Sequence, residues 1–312
     1  MVSCSVRGSV VLPLAIVGLL GNLFVILIIA AKRRLHTMHY FLLANLSLSD
    51  FFLNIIITFN AISFISGEWV FGLAWCKGTL YLFRCFVLAT ILLLCAVTWE
   101  CHTAVVTPYQ FSSEITVKKV IIVFILWVAS FLFAVVLLVD GVKSVTYTNP
   151  NHQCELVFRS SSSFVIMLII GAMIFTTPFG LICKQQYQIH QAAKHQKNKI
   201  AQQQHDVNAN NPGENQPQRF MKNVKDSKDA FVIVVAFLVS YLPLFVVTYL
   251  RVRLAESNTL YNAWFSATVL IQAGSMCNPV IYCIRKRQFR RQCLKILPVK
   301  CFTRISPQAN PQ

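Results

Sequence analysis

Seven apolar runs, each long enough to cross a bilayer, leave this chain few ways to fold. They lie at about 9–31, 39–64, 73–106, 117–139, 161–190, 224–250 and 260–284. Inside hydrocarbon every backbone amide must find its partner within the protein, so such runs are expected to be helices. Composition agrees: 56% of the 312 residues are hydrophobic and 12% charged, against about 25% charged in soluble domains. The fold class expected is an all-α membrane protein, a seven-transmembrane helix bundle with a short amphipathic C-terminal helix.

The connections are short except for about 191–222, a polar stretch rich in Gln and Asn. It is too poor in apolar residues to build a core and is expected to be a disordered loop. The expected organisation is a short outer N-terminus at 1–8, the membrane domain at 9–284, and a helix and tail at 285–312. The first run has spanning length and reads as a retained anchor, not a cleaved leader.

Lys and Arg set the orientation. Of the 28 basic residues, 21 fall beside the connections after runs one, three and five and in the tail. Basic residues gather on the cytoplasmic side, which places the N-terminus outside and the C-terminus inside at a plasma membrane. The net charge of +17 follows from this bias and implies no nucleic-acid partner. Cys76 and Cys154 fall in outer connections, where the space is oxidising. They form either a bridge or two free thiols.

Asn278-Pro279-Val280-Ile281-Tyr282 closes the last run. Pro279 has no amide proton and clashes with the preceding turn, so it kinks a helix. Earlier runs carry further marks: Gly21-Asn22, Asn45-Leu46-Ser47-Leu48-Ser49-Asp50, Glu100 placed 24 residues after Cys76, Trp127, Pro178, and Phe237 before Tyr241-Leu242-Pro243. In this order and spacing, from about Gly21 to Leu294, the chain resembles a rhodopsin-like (class A) G-protein-coupled receptor.

The resemblance implies an extracellular small-molecule or peptide ligand, a heterotrimeric G protein, arrestin as a further partner, and membrane lipids around the bundle. It implies a Cys76–Cys154 bridge. It implies an amphipathic helix from Lys286 to Leu294 on the inner leaflet, with Cys293 and Cys301 as palmitoylation candidates or plain thiols. Asp50, a carboxylate inside an apolar helix, is a functional candidate by position. By resemblance it would hold sodium together with Asn22, Thr90, Ser275 and Asn278, because hydroxyls and a carboxylate supply hard oxygens. The alternative is a protonated, hydrogen-bonded acid. No other cofactor is expected.

The family's ligand pocket maps onto Phe83, Arg84, Val87, Tyr241, Leu244, Phe245, Thr248, Phe265, Thr268 and Gln272. Arg84 lies eight residues beyond Cys76, roughly 12 Å along the helix. It serves either an anionic ligand or an internal partner, Asp140 or Glu155. Phe83 stands where amine receptors carry Asp, which argues against a monoamine. Gln272 stands where opsins carry Lys, which rules out a retinal Schiff base.

The activation residues implied are Glu100, Cys101, His102, Pro243, Asn278, Pro279 and Tyr282. Here the chain departs from the family. Cys101 replaces the Arg that follows the acid of helix three, and helix six offers Asn223 where an acid would complete an ionic latch. That latch is expected to be absent. His102 reads as a solvated histidine at the loop end, with a titratable partner for Glu100 as the alternative. Tyr241 replaces Trp, Gly274 stands where Asn is common, and Tyr187 lies nine residues after Pro178 instead of eight. The departures raise a second reading, a non-signalling or arrestin-biased receptor. A transporter or channel is the reading from another class, although no internal repeat is visible. An enzyme is not expected, since no His, Asp and Glu cluster shows metal or nucleophile spacing.

Overall fold

The computed structural model describes residues 4–139, 142–148, 153–158, 161–206, 215–253 and 258–296. Its helices are α1 Cys4–Ala31, α2 Met38–Ser66, α3 Gly72–Val106, α4 Val117–Val139, α5 Ser161–Asp206, α6 Asn215–Arg253, α7 Asn258–Arg285 and α8 Arg287–Ile296. Each of the seven apolar runs is covered by one helix, in order. Six of these, by their described residues, are long and apolar enough to cross a membrane, and α5 covers the remaining run. Between α4 and α5 the all-helical expectation is extended by one antiparallel hairpin. Its strands are β1 Val142–Thr148 and β2 Gln153–Phe158, paired Tyr147 to Cys154 and Thr146 to Glu155.

Three boundaries differ from those expected. α1 begins at Cys4, inside the stretch assigned to an outer terminus. α5 runs to Asp206 and α6 starts at Asn215, so both helices invade the stretch at 191–222 expected to be disordered. That stretch is polar but rich in Gln, Lys and Ala, which favour helix. Nucleation is already met inside the membrane, and extension adds a hydrogen bond for each residue fixed.

α1 lies closely along α2, and the reason is small residues. A Cβ at Gly8 would meet Ile65 Cγ1 at 2.5 Å and the Ala61 carbonyl oxygen at 2.8 Å, and one at Gly18 would collide with the Asn54 side chain. Gly21 faces Pro279 at 3.2 Å in the same sense, which seats α1 against the kink of α7. Helices in lipid have little hydrophobic drive to associate, so this kind of backbone approach carries much of their packing. Large apolar side chains such as Phe124, Leu132 and Val239 point outward and are exposed, as a lipid-facing surface requires.

Two large apolar clusters fill the interior, with a smaller one around Val105, Ile189 and Val224. One, around Val11, Leu53, Ile57, Phe86, Tyr241 and Ile271, lies toward the hairpin end. The other, around Leu43, Leu46, Leu94, Val97, Ile233, Tyr282 and Phe289, lies toward the end rich in Lys and Arg. α8 turns Phe289 and Cys293 into this second cluster and exposes Arg290, Arg291 and Leu294. That one-sided burial at i and i+4 is the pattern expected of a helix lying on a surface.

Candidate functional site

At the hairpin end, Phe83, Val87, Tyr241, Leu244 and Phe265 meet in one apolar cluster with Phe86 and Ile271. Tyr241 stacks on Phe237 with centroids 4.2 Å apart and is buried above the Pro243 kink. Phe245 and Thr248 continue along α6, half-buried. Thr268 donates to the Trp264 carbonyl within its own helix. Gln272 lies deeper, fully buried, and donates to Asn54 Oδ1 at 2.7 Å.

Arg84 donates from Nη1 to the Leu80 carbonyl at 2.9 Å, and no carboxylate among the described residues pairs with it. Asp140 and the side chain of Glu155, its two internal candidates, lie outside the described residues. Cys76 is buried and disulfide-bonded, and the side chain of Cys154 also lies outside them. Arg7, near the start of α1, is 2% exposed. It donates to Asn262 Oδ1 at 2.9 Å and sits 5.1 Å over the Phe265 ring, tying α1 to α7. The only sequence signal was its position next to the first apolar run.

In mid-bundle, Asn278 donates to Asp50 Oδ2 at 2.6 Å. Ser49 and Thr90 share a hydroxyl–hydroxyl contact at 2.9 Å, and Asn54 donates to Ser275 Oγ at 2.8 Å. Asp50, Thr90, Ser275 and Asn278 border one small cavity. Asn22 stands apart from it, donating to the Gly18 and Ser275 carbonyls. A hydroxyl oxygen has two lone pairs, so Ser275 Oγ, which accepts one bond from Asn54, and Thr90 Oγ1 can join the Asp50 carboxylate in fitting a small, hard cation. Gly274 has its own cause: a Cβ there would collide with Ser240 Oγ. Ser240 fills the space that a larger residue at 274 would occupy.

The basic end holds the largest departure. Glu100 is paired, but not by His102. His39, at the start of α2, approaches it at 2.9 Å from Nδ1 to Oε2. His102 instead contacts Gln188 at 2.8 Å and stacks on Trp99. Its ring leaves α3 on the α5 side, away from Glu100. The Sγ of Cys101 lies 3.9 Å from His39 Nδ1, so His39, Glu100 and Cys101 form a cluster that no sequence spacing announced.

α6 is held as well. Asn223, expected only as a missing acid, donates to the Ala104 carbonyl at 2.9 Å. Farther along α6, Asp226 accepts from Lys286 at 2.8 Å and Asp229 from Arg285 at 2.7 Å. Lys286 Nζ is also 3.8 Å from Asp229. His39 thus ties α2 to α3 through Glu100, and Asp226 and Asp229 tie α6 to Lys286 and Arg285 at the end of α7. These groups line an open cavity of roughly 800 Å³ bounded by α2, α3, α6, α7 and α8.

Two further expectations meet the structure here. Tyr187 is 64% exposed, so the extra residue after Pro178 turns it away from the bundle. Cys293 is buried, and its contact with Cys283, followed by burial, pushes its thiol up. A buried thiol is a poor lipid acceptor, which favours the plain-thiol reading of Cys293. Cys301 lies outside the described residues.

A bundle of this kind, with a kinked final helix and a polar cavity at one end, is the architecture of a seven-helix membrane receptor. The model of the 7 transmembrane receptor (rhodopsin family) matches residues 21–282, and the chain belongs to that family. It is a receptor-family protein and not an enzyme. Human trace amine-associated receptor 2 is 27% identical over 301 residues, covering 92% of this chain and 80% of that receptor. The high-affinity lysophosphatidic acid receptor of Xenopus laevis is 25% identical over 299 residues, covering 90% and 79%. Squid rhodopsin superposes with a TM-score of 0.80 at 21% identity, covering 95% of this chain and 85% of that one. The likeness to rhodopsin concerns the fold.

Proposed function

We propose that this chain is a plasma-membrane receptor that carries a signal from a ligand at the hairpin end to a G protein at the basic end. Its N-terminus lies outside and its C-terminus in the cytoplasm, because 21 of its 28 basic residues fall beside the connections after runs one, three and five and in the tail. The ligand is not a monoamine. Phe83 provides no carboxylate for an ammonium, although several relatives are named as adrenergic, octopamine, trace-amine and histamine receptors. Arg84, with no described carboxylate partner, suits an anionic group through its forked donors. A relative named for lysophosphatidic acid supports that choice. Retinal is excluded by Gln272, which cannot form a Schiff base. Sodium at Asp50 and a Cys76–Cys154 bridge complete the reading.

The observation that carries the coupling reading is the pairing at the cavity. Cys101 has no charge to offer a transducer, while Glu100 is occupied by His39 and α6 by Lys286 and Arg285. G-protein output is therefore low. The second reading, an arrestin-biased receptor, is favoured by the same absent Arg. Parallel recording of nucleotide exchange and arrestin recruitment during an anionic-ligand screen separates the two. Strong exchange without arrestin recruitment contradicts both low output and bias.

A further inference from the structure

We propose that His39, Glu100 and Cys101 bind a zinc ion at the basic end of the bundle. Their ligand atoms, His39 Nδ1, a Glu100 carboxylate oxygen and Cys101 Sγ, all lie within 4.8 Å of one another. Zinc takes imidazole, carboxylate and thiolate in tetrahedral sites, with bonds near 2.0–2.3 Å. Tetrahedral angles at those lengths place nitrogen and sulfur about 3.6 Å apart, and nitrogen and oxygen about 3.3 Å apart. The observed separations are 3.9 Å and 2.9 Å. Shifts of about 0.4 Å bring the nitrogen–oxygen and nitrogen–sulfur pairs to coordination distance, and the oxygen and sulfur already lie within 4.8 Å of each other.

The ring of His39 has room for that shift. Its other nitrogen, Nε2, is buried and has no hydrogen-bond partner, so the contacts described for the ring, with Glu100 and Cys101, both fall on Nδ1. The three residues are 8%, 9% and 2% exposed, which shelters the ligands from water. The cavity supplies the open fourth position for a water molecule.

Charge favours the ion. On binding, the Cys101 thiol releases its proton to solvent and the sulfur joins the metal. Zinc(2+), one thiolate, one carboxylate and a neutral imidazole sum to zero, so no net charge is buried. A thiolate and an imidazole together select zinc over magnesium or calcium, which prefer oxygen ligands. The ion would clamp α2 to α3 at the point where the family's Arg is missing.

The test uses the full-length receptor in lipid nanodiscs under reducing conditions, titrated with cobalt(2+) as a spectroscopic stand-in for zinc. A thiolate-to-cobalt charge-transfer band should appear at one equivalent and vanish when zinc is added. Cys101→Ser should remove it, and His39→Ala should weaken binding about tenfold or more. Because Cys101→Ser could fail to fold, X-ray absorption on the zinc-loaded natural receptor gives a variant-free readout. One sulfur with nitrogen and oxygen neighbours supports the site. No band, a band that survives Cys101→Ser, or a shell with no sulfur or with two or more, overturns it. Two sulfurs would point to the adjacent Cys283 and Cys293.

Discussion

Removing His39 should strand a carboxylate. His39 and Glu100 meet at 2.9 Å with side chains 11% and 10% exposed, so little solvent is at hand to take over. Losing one partner of such a pair leaves an unsatisfied buried acceptor, which costs about 1–3 kcal/mol and more when the group is charged. Exposure to the open cavity keeps the figure below the roughly 3–5 kcal/mol of a fully buried pair. His39→Ala is therefore expected to lower the melting temperature by roughly 2–8 °C. Glu100→Gln alone should cost less, since an amide can still bond the ring. The informative comparison is His39→Ala/Glu100→Gln, in which the stranded charge is gone. It should melt above His39→Ala, a reversal of sign that separates the pair from simple packing loss. Thermal unfolding of the purified receptor, with a chelator present to exclude metal, provides the measurement. If neutralising Glu100 lowers stability further in the His39→Ala background, the two groups are not partners.

Two more predictions follow from the same geometry. Asp229→Asn removes the acid that accepts from Arg285 and should free α6 on one side; basal transducer output should rise, with a stability cost on the order of 1 kcal/mol because Arg285 is 40% exposed and screened. An unchanged basal output would show that this tie does not restrain α6. Gly274→Ala places a methyl against Ser240 Oγ and should destabilise by about 1–3 kcal/mol; Ser240→Gly should rescue it, and a failure to rescue would remove Ser240 as the cause.

The seven spans and the one-sided α8 were legible in the chain, because each rests on apolar length or local periodicity. The polar ends of α5 and α6 were not, since a helix that leaves the membrane loses the apolar signal that marks it. The site was harder. Cys101 stood out as a departure beside Glu100, but His39 is 61 residues from Glu100, and no local pattern joins them. Asp226 and Asp229 share a face of α6 by their spacing of three, yet their partners lie at the far end of α7. Gly274 looked like a gap in an ion cage, and only the neighbouring helix shows that Ser240 occupies it.

The central claim is that a missing Arg on α3, with its neighbours tied elsewhere, leaves G-protein coupling weak. An Arg at this position would add a charged donor at the cavity, worth about 1.5–3 kcal/mol to a transducer contact. A partly solvated resting pair would offset only about 0–1 kcal/mol of that. The direct measurement is G-protein nucleotide exchange by the natural receptor and by Cys101→Arg at matched surface density. Exchange that rises by about tenfold in Cys101→Arg is the result expected. Equal exchange in the two forms would mean that another residue makes the contact, and the account of α3 would fail.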